Sequence, residues 1–92
     1  MLILTLQLNE KILQEYRFQK SQTVKIGRRN KNDVVINNLG VSGRHAKIEF
    51  KNGGFLYTDL VSTNGSFINE RPVSTHWLKN NDVITVGRKT TA

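Results

Sequence analysis

The chain has 92 residues and no cysteine. Residues 1–92 therefore read as one small domain, whole or a piece of a longer protein, whose core rests on apolar packing and not on a disulfide or a thiolate zinc site. Fourteen Lys and Arg against seven Asp and Glu leave a net charge of +7, which favours anionic partners, and no stretch reaches the roughly 20 apolar residues of a membrane helix.

Leu2, Leu4, Leu6 and Leu8 alternate with Ile3, Thr5 and Gln7, the period of a strand with one buried face. This apolar start lacks the basic flank and small-residue cleavage site of a signal peptide. Asn9-Glu10-Lys11 reads as a turn. The next run places Ile12, Tyr16 and Phe18 on one side and Leu13, Glu15 and Arg17 on the other, which predicts a hairpin. Further strand-length apolar runs follow at 24–26, 34–36, 46–50, 55–60, 67–68 and 83–86, separated by turn-rich patches at 30–33, 37–40, 51–54, 69–70 and 79–82. No stretch keeps a helical period. The pattern predicts an all-β sandwich, with no internal repeat or low-complexity linker dividing it.

Three polar clusters lie at the ends of these runs, where strand ends feed the loops of one rim. Gly27-Arg28 closes the run at 24–26, where a glycine lets the chain turn and the arginine project. A planar guanidinium grips phosphate through two parallel charge-assisted hydrogen bonds. Lys25, Arg29 and Lys31 surround it, a basic stretch that also reads as a solvated face. Ser42-Gly43-Arg44-His45 leads into the run at 46–50. Its serine hydroxyl and the N–H groups of a glycine-containing turn suit phosphate oxygens. A Ser-His nucleophile pair is disfavoured, because the sequence has neither a strand-turn-helix elbow nor an acid to orient the histidine. In the third cluster, Ser62-Thr63-Asn64-Gly65, the Asn-Gly pair alone signals only a tight turn.

Taken together, the clusters resemble the forkhead-associated (FHA) domain family, over about residues 24–87. The longest stretch of likeness is Asp59-Leu60-Val61-Ser62-Thr63-Asn64-Gly65-Ser66-Phe67-Ile68-Asn69, supported by Asn32-Asp33-Val34-Val35-Ile36 and by the closing segment from Leu78 to Gly87. The resemblance implies an FHA-type β-sandwich of two mostly antiparallel sheets with binding loops at one rim. It implies a non-enzymatic module that reads phosphothreonine in a partner protein, with a Ser/Thr kinase upstream, in the cytoplasm, without cofactor or metal. By position, Arg28 is the principal phosphate ligand, Ser42 contacts phosphate, Thr63 lies beside it, and the Asn64 amide holds the peptide backbone. His45 is structural, Ser62 and Asp59 stabilise the loop, and Gly27 and Gly65 support the site.

Four departures from the family pattern stand out. Gly43 occupies a position where members often carry a basic or amide side chain that contacts phosphate or peptide, and Arg44 compensates only if its loop directs it inward. Gly40 stands where some members carry a residue that selects the peptide. Asn81 replaces a glycine, a mild exchange because asparagine tolerates a left-handed backbone. Where the family's last strand continues past Gly87 with apolar residues, residues 88–92 here are Arg-Lys-Thr-Thr-Ala, so either the chain is a fragment or its final strand is short, and a monomer or a strand-swapped dimer is the expected state. Two other readings remain open at this level: a degenerate FHA scaffold that binds a partner without phosphate, and a basic nucleic-acid-binding module whose affinity falls steeply with salt. With His45 and His76 as the only histidines, no metal site is expected. Trp77, Tyr16, Tyr57 and the phenylalanines read as packing residues.

Overall fold

The computed structural model describes residues 2–8 and 11–87. Ten strands run in chain order: β1 (Leu2–Leu8), β2 (Lys11–Phe18), β3 (Val24–Gly27), β4 (Val34–Val35), β5 (Ala46–Lys51), β6 (Gly54–Asp59), β7 (Ser66–Ile68), β8 (Arg71–Val73), β9 (Thr75–Trp77) and β10 (Ile84–Val86). No helix occurs among the described residues, and none is long and apolar enough to cross a membrane.

The strands form a five-stranded sheet in the order β4-β3-β5-β6-β9, a three-stranded sheet β10-β7-β8, and the separate hairpin β1-β2. All pairings are antiparallel except β3 with β4. The all-β sandwich expected from the sequence is thus present, with the hairpin hydrogen-bonded as a sheet of its own. One core joins the layers: Val24, Ile26, Val34, Ala46, Ile48 and Tyr57 from the larger sheet meet Ile68 and Leu2, with Leu4, Tyr16, Phe18 and Ile84 packed against them. Burial of these alternate-face side chains is the main stabilising contribution, at about 1.5–3 kcal/mol for each large one.

Three details differ from the sequence reading. Ile12 does not share a face with Tyr16 and Phe18. Leu6 pairs with Gln14 but Gln7 pairs with Ile12, so Leu13 is an extra residue in β2. One inserted residue reverses the faces of what precedes it, and Ile12 is exposed. Lys11 belongs to β2 and not to the turn, while Asn9 and Glu10 lie outside the described residues. Strands β8 and β9 also emerge from a stretch with no apolar alternation. Pro72 is accommodated because β8 is an edge strand, where a missing N–H disrupts no ladder. The expectation of a short final strand after Gly87 falls on residues 88–92, outside the described residues.

Candidate functional site

The loops that follow β3, β4 and β6 meet at one rim. The first two are stitched by backbone bonds: Arg28 N–H donates to the Ser42 carbonyl at 3.0 Å and Arg29 N–H to the Gly43 carbonyl at 3.2 Å. Asn32 Nδ2 adds bonds to the carbonyls of Arg29, at 2.9 Å, and Gly43, at 2.8 Å. This approach explains Gly27. Its φ is not left-handed, so the turn reason anticipated from the sequence is not the operative one. A Cβ at Gly27 would fall 2.3 Å from the Gly43 carbonyl oxygen and 2.8 Å from Asn32 Nδ2, so a side chain would wedge the two loops apart. Gly40 is similarly confined, with the Gly87 carbonyl oxygen 2.3 Å from where its Cβ would lie.

Side chains bring the third loop to the second. Thr63 N–H donates to Ser42 Oγ at 3.0 Å, and Asn64 Nδ2 donates to the Gly40 carbonyl at 2.8 Å. His45 is fully buried beneath them. Its Nδ1 accepts the Ser42 N–H at 3.1 Å, so the ring proton sits on Nε2 and is donated to the Gly65 carbonyl at 2.9 Å. Gly65 holds φ +81°, a conformation that glycine adopts without a steric penalty.

Asp59, at the end of β6, organises the third loop from below. It accepts Ser62 Oγ and Ser66 Oγ at 2.6 Å each and the Ser62 N–H at 3.0 Å, and Tyr57 donates its hydroxyl to Ser66 Oγ at 2.8 Å. Burial raises the Asp59 pKa, but the hydrogen bonds from Ser62 and Ser66, together with nearby His45, outweigh it and hold the carboxyl below 3.8. Burial likewise pushes the Tyr57 hydroxyl up to about 12.

Arg28, Leu39, Gly40, Val41, Ser42, Gly43, Thr63 and Asn64 line a pocket of about 300 Å³ between the loops. Arg28, Ser42, Gly43, Thr63 and Asn64 were the sequence's own candidates. Arg44 is exposed and lies outside the lining, because the chain turns Ser42 and Gly43 toward the pocket and His45 into the interior. Leu39, 88% exposed at the pocket edge, was not anticipated. Its only sequence signal is a large apolar residue within a turn-rich patch. Among the described residues no carboxylate pairs with Arg28, Arg29 or Arg44. The pocket therefore offers a guanidinium, hydroxyls and an amide to an anionic ligand. No cluster of three or more His, Asp or Glu suited to a metal occurs among the described residues.

The fold and sequence have counterparts among known proteins. The chain is 33% identical over 66 residues to the glycogen accumulation regulator GarA of Mycolicibacterium smegmatis, an alignment covering 72% of this chain and 42% of GarA. It thus spans less than half the length of that relative. The FHA domain of CT664 from Chlamydia trachomatis superposes with a TM-score of 0.84 at 27% identity, covering 92% of this chain and 87% of that one. EmbR of Mycobacterium tuberculosis, solved in complex with a low-affinity phosphopeptide, gives a TM-score of 0.73 at 30% identity, covering 78% of this chain and 19% of EmbR. The FHA domain profile matches residues 24–87, and the chain belongs to the FHA domain family.

Proposed function

We propose that this chain is a non-catalytic reader of phosphothreonine, which docks a phosphorylated segment of a partner protein at the rim pocket. The observation that carries this reading is the convergence of Arg28, Ser42, Thr63 and Asn64 on one pocket, with Arg28 unpaired by any carboxylate among the described residues. A phosphate brings nearly two negative charges and three strong acceptor oxygens. Arg28 meets them with a planar fork, while the Ser42 and Thr63 hydroxyls supply further donors. Asn64 spends one amide hydrogen on the Gly40 carbonyl, which fixes the side chain and leaves its oxygen and second hydrogen for the backbone of an extended peptide. His45, Gly27 and Gly65 hold the loops in register without touching ligand. The phosphopeptide held by the related EmbR supports the same ligand class for this fold. A phosphothreonine source implies a Ser/Thr kinase in the same compartment, which we take to be the cytoplasm.

The test is titration of phosphothreonine, phosphoserine and unphosphorylated versions of a degenerate peptide pool at physiological salt. Each hydrogen bond to a charged group is worth roughly 1.5–3 kcal/mol, so Arg28→Ala is expected to weaken phosphothreonine binding about tenfold or more. Binding that ignores phosphate, or falls only with salt and with total lysine and arginine, would replace this reading with a scaffold or nucleic-acid role.

A further inference from the structure

The space that a side chain at Gly43 would enter is already occupied. A Cβ built there would fall 2.8 Å from Arg29 Nε, 3.1 Å from Arg29 Cγ and 3.3 Å from Arg29 Cδ. The stem of Arg29 is therefore laid along the bare Cα of Gly43, and the same pair is joined through the backbone by the 3.2 Å bond from Arg29 N–H to the Gly43 carbonyl. Asn32 Nδ2 donates to the carbonyls of both residues. Gly43 itself lines the pocket. Arg29 does not itself line the pocket, but its stem lies against a residue that does and that has no side chain of its own.

The Arg29 charge is not consumed internally. Asp33, the carboxylate nearest in sequence, accepts the Lys25 N–H at 2.8 Å. Among the described residues none forms an ion pair with Arg29.

We propose that Arg29, held over Gly43, is a second oxyanion-binding residue of the pocket, beyond Arg28. Its target is an oxyanion of the bound segment, either a phosphate oxygen that Arg28 leaves free or the carboxylate of an acidic residue flanking the phosphothreonine. This proposal rests on the phosphopeptide reading above, and it makes Gly43 a residue that enables the contact by being bare. Any larger residue at 43 displaces Arg29 unless it brings its own cation.

The experiment measures dissociation constants for two phosphothreonine peptide pools, one with neutral and one with acidic flanks, against wild type and five variants. Arg29→Ala and Gly43→Ala are each expected to weaken binding about tenfold. Their combination should be no worse than either alone, because both remove one contact. Arg29→Ala combined with Gly43→Arg should recover binding by returning a guanidinium to the same edge. A loss in both pools assigns the contact to phosphate, and a loss confined to the acidic pool assigns it to a flanking carboxylate. Unchanged affinity for Arg29→Ala in both pools, while Arg28→Ala, the fifth variant, abolishes binding, overturns the proposal and leaves the phosphopeptide reading standing. If wild type shows no phosphate-dependent binding, both fall together. Thermal melts of each variant separate loss of contact from loss of fold, and Gly43→Ala should fold because only a flexible side chain must move aside.

Discussion

His45 joins the second and third loops of the site through opposite nitrogens of one ring, accepting the Ser42 N–H at Nδ1 and donating from Nε2 to the Gly65 carbonyl. Because the ring has no solvent exposure, truncation removes packing volume and strands two backbone groups at once. His45→Ala is expected to cost about 3 kcal/mol or more, read as a shift in the urea unfolding midpoint. A loss below about 1 kcal/mol would mean that the loops hold their positions without it.

Stability should fall at both ends of the pH scale, for opposite reasons. Asp59 is held below its ordinary value of 3.8 in the folded chain, so below that pH the unfolded chain takes up the proton first. Its contribution is complete above about pH 4 and is lost as pH falls through the folded value. Tyr57 is raised from 10.0 to about 12. Its contribution is complete below pH 10 and is lost as pH rises toward 12, because the unfolded chain ionises first. Urea midpoints measured across both limbs check this, with Asp59→Asn flattening the acid limb and Tyr57→Phe the alkaline one. Asp82 reinforces the acid limb, since the Lys79 N–H and the Asn69 amide lower its pKa despite partial desolvation, with His76 adding to them.

Two glycines of the site should respond to alanine by different mechanisms. Gly27→Ala forces a methyl against the Gly43 carbonyl and separates the first two loops, costing about 1–3 kcal/mol as an overpacking substitution. Gly65→Ala meets no atom within 4 Å, but must hold φ +81°, at about 1 kcal/mol. The contrast is visible by backbone amide NMR. Gly27→Ala should shift signals across residues 28–32 and 42–44, whereas Gly65→Ala should change only its own turn.

The features legible in the sequence were those carried by near neighbours. Alternation at Leu2, Leu4 and Leu6 marks the first strand, and Arg28, Ser42, Thr63 and Asn64, each near the end of an apolar run, point to one rim, where they line a common pocket. What escaped was set by contacts between distant segments or by one-residue geometry. The Leu13 bulge that exposes Ile12 leaves no compositional mark. Strands β8 and β9 pair along the edges of β7 and β6; Val73, Thr75 and Trp77 suit a strand, but Arg71, Pro72 and His76 between them leave no apolar alternation to read. The reason for Gly43 is invisible locally, since it lies in the side chain of Arg29. Asn81 is the converse case: its φ of 70° is the left-handed conformation that residue type suggested.

Val61 carries a strain that the fold does not repay through packing. It adopts φ 54° although it is β-branched, and its side chain is 96% exposed. Such a backbone costs of order 1–3 kcal/mol, and no burial offsets it. Val61→Gly removes the clash but adds freedom to the unfolded chain, worth roughly 0.5–1 kcal/mol against the variant. The net expectation is a gain of about 1 kcal/mol, seen as a higher urea midpoint with unchanged slope. Val61 precedes Ser62, Thr63 and Asn64 but does not line the pocket, so phosphate-dependent affinity should not change in the same variant. A drop in affinity accompanying the gain in stability would instead identify Val61 as a contact for the bound segment, with its strain retained for that purpose.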